Sequence, residues 1–371
     1  MRKYLKMNYK ETLFFIGKCL TISHEKENLK IVSNQIISKN VNWDSVVKVS
    51  TAHYVFPALY CNLKRANLLS FLPVDLVSFM KHITDLNRER NLQIIEQAKE
   101  INTLLLENGI TPIFLKGTGF LLQNFYEDPA ERMVGDIDFL VSENDYELVI
   151  KLLKNDQYFF TTELNYHRPT SKHYPRIQKD NKIAAVEIHY AMTIKQYNNE
   201  FNYNYVHKDL LNIENITVLN YSNQLVLTII ATQINDNNQF FKNISLRNAY
   251  DVYLLTIKTD SLESIIKFDQ LFSPLNKFLG LCNEVLSSNI HYKKMLETEK
   301  YKATFYRLIT NEKFQKQHSR KWKRKLFLRS RLSLIYKSMY KKENLYWFIR
   351  RVTDKTWYKE KMIQLGIKSN S

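Results

Sequence analysis

Gly135-Asp136-Ile137-Asp138-Phe139-Leu140-Val141 places two carboxylates one residue apart at the start of an apolar, β-branched run. On a strand, alternate side chains share a face, so Asp136 and Asp138 point the same way, about 7 Å apart at Cα. Ile137, Phe139, Leu140 and Val141 anchor that strand in a core. Two acids at the rim of a buried sheet are a natural seat for Mg²⁺, which prefers carboxylate oxygens and keeps positions open for phosphate.

Outward from that strand the pattern alternates. Residues 86–108 read as a long helix ended by Asn108-Gly109, a C-cap signal. A short buried strand follows at Ile110 to Leu115. Lys116-Gly117-Thr118-Gly119 turns it into a helix over Phe120 to Tyr126. After the Asp136 strand, Ser142 reads as an N-cap for a helix over Glu143 to Lys154. Further strands are expected at Tyr158 to Thr162 and Ile183 to Tyr190, and helical periodicity returns over 216–305. Four of the seven glycines, Gly109, Gly117, Gly119 and Gly135, fall close to the acid pair. Glycine serves where backbone must turn sharply or approach closely. The pattern predicts an α+β protein, a small mixed sheet flanked by N- and C-terminal helical regions. The expected organisation is a helical region at 1–85, a core at 86–215, a helical domain at 216–305 and a basic tail at 306–371.

Four features converge on chemistry. The Leu115-Lys116-Gly117-Thr118 turn offers backbone N–H groups, an ammonium and a hydroxyl to phosphate. Arg132 stands four residues before Asp136, placed to reach a phosphate bidentately. The Asp136/Asp138 pair is the third. The fourth is Glu187 in Ala185-Val186-Glu187-Ile188-His189-Tyr190, whose alternation puts Glu187 and His189 on one face. A third carboxylate on a neighbouring strand could complete a two-metal site or act as general base. His167 and His173 lie in a polar connection without metal-ligand spacing. Arg247 and Asp251 are spaced as an i,i+4 pair on a helix surface.

The stretch LKGTGFLLQNFYEDPAERMVGDIDFLV, followed by VEIHY, resembles the bacterial uncharacterised nucleotidyltransferase family of the DNA polymerase β-like superfamily. Ala52-His53-Tyr54-Val55-Phe56-Pro57 and ISLRNAYDVYLL are similar to its flanking parts. The resemblance implies a nucleotidyltransferase core. Asp136 and Asp138 would be Mg²⁺ ligands, with two ions. Glu187 would be third ligand or base, and Lys116, Gly117, Thr118 and Arg132 would sit at the triphosphate of an NTP substrate. The acceptor stays open among RNA, protein and small molecules. Two alternatives stand beside NMP transfer: a catalytically silent nucleotide- or RNA-binding partner protein, and a toxin-like tRNA-modifying nucleotidyltransferase.

Charge separates tail from body. Residues 301–371 hold 20 Lys and Arg against 4 Asp and Glu, while the other 300 residues hold 34 against 33. Inferences about polyanionic partners therefore concern the tail, which reads as a terminal helix docked on the body with a solvated basic face, or as a contact for an anionic membrane surface or RNA. No apolar run is long enough to span a bilayer, and the N-terminus lacks a signal-peptide pattern. Cys19, Cys61 and Cys282 form neither a disulfide framework nor a zinc spacing, so reduced thiols in a cytoplasmic protein are expected, with the tail allowing a peripheral membrane association.

Overall fold

Seven short strands form one mixed sheet in the order β3-β4-β5-β2-β1-β7-β6: β1 (Ile113–Phe114), β2 (Asp136–Leu140), β3 (Phe159–Phe160), β4 (Ile177–Gln178), β5 (Ala185–His189), β6 (Leu210–Ile213) and β7 (Ile216–Leu219). The structure, a computed structural model, describes residues 7–161, 172–340, 342–355, 358–359 and 362; His167 lies outside them. With helices on both sides of the sheet in sequence, the fold is α+β, as the pattern implied. The described residues fall into two compact units. One holds the residues up to 161 together with 172–315, and the other the residues from 316 onward.

In the first unit the alternation of β2 and β5 divides the core. Ile137, Phe139, Val186 and Ile188 enter one apolar cluster. They pack there with Ile94, Ala98, Ile101 and Leu105 of the Val74–Glu107 helix and with Val149, Ile150 and Leu153 of the Tyr146–Asn155 helix. Each such fully buried Val, Leu, Ile or Phe side chain contributes about 1.5–3 kcal/mol. Leu140, Ile113, Leu115 and Leu219 face a second cluster, which they share with the N-terminal helices and with the helices Tyr221–Ile230, Leu246–Thr256 and Phe272–Leu286.

The long helix begins at Val74, twelve residues before the expected start, because Pro73 makes the break. Its end is as read. Gly109 has φ +73°, its N–H bonds the Leu106 carbonyl, and the Ile110 N–H bonds the Leu105 carbonyl, a Schellman closure. Ser142 accepts from the Asp145 N–H at 3.1 Å ahead of the next helix.

Three strands, β4, β6 and β7, depart from the sequence reading. The 216–305 span opens not with helix but with β7, which pairs parallel with β1 and antiparallel with β6. The β6–β7 hairpin turns on Glu214 and Asn215, both with positive φ (51° and 67°). Such two-residue turns usually advertise themselves by Asn-Gly or Asp-Gly. Here no glycine marks the reversal. The two-residue β4 was also unmarked.

Candidate active site

Register assembles the site. β2 and β5 run parallel with Asp136 opposite Ala185, Asp138 opposite Glu187 and Leu140 opposite His189. Asp136, Asp138, Glu187 and His189 therefore emerge on the sheet face opposite Ile137, Phe139, Val186 and Ile188. Ligand atoms of Asp138, Glu187 and His189 lie within 4.8 Å of one another. The His189 Nε2–H donates to Asp138 Oδ1 at 2.9 Å and lies 3.5 Å from Glu187 Oε2.

Two cations compensate these acids. The Lys116 ammonium lies 2.6 Å from Asp138 Oδ1 and 4.0 Å from Glu187 Oε2. Arg176 spans the other pair, donating from Nε to Glu187 Oε1 at 2.9 Å and from Nη2 to Asp136 Oδ2. Charges at this distance inside a half-buried site dominate protonation. Burial opposes the Asp138 carboxylate, but the Lys116 ammonium and His189 hold its pKa well below the usual range. Glu187 is likewise lowered: burial is outweighed by the His189 hydrogen bond and by Lys116. Asp136 goes the other way, raised by burial and by the negative charge of Glu187 and Asp138 against the pull of Arg176. Burial disfavours the Lys116 ammonium, yet Asp138, Glu187 and Asp136 raise its pKa.

Lys116 sits at φ +52° at the start of the Lys116–Leu122 helix. A non-glycine residue held there costs on the order of 1 kcal/mol, and such strain gathers at functional sites. Gly117 follows, where an added Cβ would lie 2.8 Å from Val134 Cγ2. Thr118 is fully buried, and its hydroxyl donates to the Asp136 carbonyl at 3.0 Å. That bond fastens the turn to β2 and leaves the hydroxyl away from the open cavity.

These groups open on a cavity of about 360 Å³. Its far wall comes from helical segments: Thr228, Ala231, Asn235 and Asp236, then Arg247, Asn248 and Asp251. Residues Ala231–Asn235 wind as a π-helix, a widened turn that recurs at functional sites. Arg132 lines the same cavity, but its Nε donates to Asp251 Oδ2 at 2.9 Å and its Nη1 to the Met133 carbonyl. Asp251 is wholly buried and also accepts from the Tyr126 hydroxyl at 2.7 Å. The surface pair expected of Arg247 and Asp251 is thus replaced by a buried Arg132–Asp251 pair. Arg247 stacks over the Tyr54 ring at 5.2 Å, and its buried Nε has no hydrogen-bond partner among the described residues. Repulsion from Arg132, then burial, lowers the Arg247 pKa to about 10. Lys172 is lowered by burial and by Lys116.

The Pro129–Gly135 connection that carries Arg132 is pinned from several sides. Asn91 donates to the Pro129 and Arg132 carbonyls and Asn87 to that of Ala130. Arg65 clasps the buried Glu131 through two bonds, 2.7 and 3.1 Å, and Tyr250 adds a third at 2.6 Å.

Sequence reasoning thus named Lys116, Gly117, Arg132, Asp136, Asp138 and Glu187, and all six line one cavity. It gave no site role to His189, Lys172, His173 or Arg176. For His189 the signal was present, since Glu187-Ile188-His189 alternates on a strand. Arg176 carried none. It reaches Glu187 only because β4 pairs antiparallel with β5, Ile177 opposite Val186. His173 joins the cavity wall through a bridge to His189, their rings 5.0 Å apart.

A family model described as an uncharacterised nucleotidyltransferase matches residues 39–287, more than half of the 371 residues and all seven strands. No curated protein and no solved structure matches the chain.

Proposed function

The chain belongs to the uncharacterised nucleotidyltransferase family, and from that membership we propose that it transfers a nucleoside monophosphate from an NTP to an acceptor hydroxyl. In this reaction the acceptor oxygen bonds to the α-phosphorus. The bond from that phosphorus to the bridging oxygen breaks, and pyrophosphate leaves with the electron pair. The observation that carries the reading is the register of β2 against β5, which puts Asp138 beside Glu187 with Asp136 two residues upstream on the same face.

This donor set suits Mg²⁺. It is rich in carboxylate oxygen, and Asp138 and Glu187 are both kept ionised by their neighbours. Asp136, Asp138 and Glu187 would hold two such ions, which when bound neutralise charge on the phosphates. The chain's own groups do the rest. Lys116, at the head of its helix, and the backbone at Gly117 receive phosphate oxygens. Arg247 on the helical wall, with a buried Nε that nothing among the described residues satisfies, and Lys172 beside β5 add two cations to the cavity lining that a triphosphate would compensate. Glu187, as third ligand or as base, would orient the acceptor hydroxyl or take its proton. Catalysis of this kind is mostly positioning and electrostatics.

The 2.6 Å contact between Lys116 and Asp138 supports a second reading, a nucleotide-binding relative without turnover, because an ammonium there competes with a metal ion. Incubation with each α-labelled NTP, Mg²⁺ and a cell lysate separates the two. Label is expected in an acceptor fraction, and Asp138→Asn should lower transfer by about 100-fold or more while the circular dichroism spectrum is retained. Nucleotide binding by calorimetry with no transfer for any NTP would favour the silent reading. Equal transfer by wild type and Asp138→Asn would sink the mechanism.

A further inference from the structure

The second unit carries the basic tail, and its helices expose what helices normally bury. In Glu312–Tyr340, Leu328 is 60% exposed, Leu332 67%, Ile335 47% and Met339 72%. At about 100° per residue these four fall within roughly 60° of one another on the helix wheel. Exposed Lys325 and Arg329 border the stripe on one side and exposed Arg324 on the other. The Lys342–Thr353 helix repeats the theme with exposed Leu345, Tyr346 and Ile349. A single exposed leucine signifies nothing, but a continuous aliphatic stripe with a cationic rim does.

The charge of this segment is one-sided. From residue 313 to 342 there are 12 Lys and Arg and no Asp or Glu. The segment therefore supplies no acid of its own to neutralise that charge. Two kinds of polyanion fit the cations, and the apolar stripe chooses between them. A nucleic acid strand would take the charges and stack on aromatic rings, but would leave Leu328, Leu332, Ile335 and Met339 in water. A layer of anionic headgroups over acyl chains satisfies cations and aliphatics together. No helix among the described residues is long and apolar enough to cross a membrane, so such a helix would lie in the plane of the interface.

We propose that the Glu312–Tyr340 helix binds anionic membrane surfaces, setting Leu328, Leu332, Ile335 and Met339 at the boundary of the acyl chains and Arg324, Lys325 and Arg329 at the headgroup phosphates. This inference is independent of the reaction proposed above.

Co-sedimentation of the full chain with phosphatidylcholine vesicles, alone or mixed with phosphatidylserine, tests it. Binding is expected only to the mixed vesicles and should weaken as salt rises. The Leu328→Asp/Leu332→Asp double variant changes exposed positions only, and unchanged circular dichroism will verify its fold. It should bind mixed vesicles about tenfold or more weakly. Three results would overturn the proposal: vesicle binding that the double variant retains in full, no vesicle binding alongside retention of single-stranded RNA, or no vesicle binding alongside a concentration-dependent dimer that the variant disrupts.

Discussion

His53 illustrates how a single side chain writes a pH dependence into this protein. Its Nδ1 accepts from the Leu246 N–H at 3.3 Å, and its Nε2 lies 3.2 Å from the Tyr9 hydroxyl. An acceptor nitrogen must be unprotonated, so the folded state needs the neutral ring. Burial pushes its pKa down from 6.5 to about 4. Above pH 6.5 the ring is neutral whether folded or unfolded, and the contribution to stability is fully present. Below that, the unfolded chain takes up a proton that the folded chain refuses until about pH 4, and stability falls over that window. At pH 5 the loss relative to pH 7 should be about 2 kcal/mol. Urea unfolding of wild type and His53→Gln at both pH values will measure it, and the variant should lose less on going to pH 5 than the wild type does. At the same scale, Asp138 and Glu187 were legible because acids alternating with apolar residues on a strand are conspicuous. Arg176 was not, because an arginine tethered through a different strand leaves no local pattern. Thr118 was legible as a hydroxyl beside the site. Only its burial revealed that the hydroxyl ties down β2.

At the scale of elements, the turn from β1 into the Lys116–Leu122 helix depends on close approach. A Cβ on Gly119 would lie 2.8 Å from the Phe114 carbonyl oxygen, which as backbone cannot swing aside. Alanine inside a helix ordinarily gains about 1 kcal/mol over glycine. Overpacking against fixed atoms costs about 1–3 kcal/mol. The clash should win, so Gly119→Ala is expected to lower stability by up to about 2 kcal/mol in thermal or urea unfolding. Gly135 provides the contrast: nothing lies within 4 Å of its Cβ position, and Gly135→Ala should be nearly neutral, within about 0.5 kcal/mol. The long helix's C-terminus could be read because Asn-Gly has a well-defined geometry there. The β6–β7 hairpin could not, because Glu214 and Asn215 adopt left-handed conformations that sequence does not advertise, and its neighbour β1 is distant in the chain.

At the scale of the whole molecule, both apolar clusters are built from residues no later than 309, including those packed at their margins. A chain ending at Gln315 should therefore keep its main cooperative unfolding transition within a few degrees of the full chain, as read by calorimetry. Loss of that transition would show that the tail is needed for the first unit to fold. The sequence by itself determined the fold class, the acid pair on one strand face, the third acid, the glycine-rich turn and the segregation of positive charge, because periodicity, capping and charge are local properties. Tertiary structure alone decided the partners of those groups. The β2–β5 register set Glu187 and His189 against Asp138, β4 delivered Arg176, and the helix carrying Asp251 claimed Arg132. These contacts join residues from 11 to 119 positions apart, and their geometry follows from strand pairing and packing.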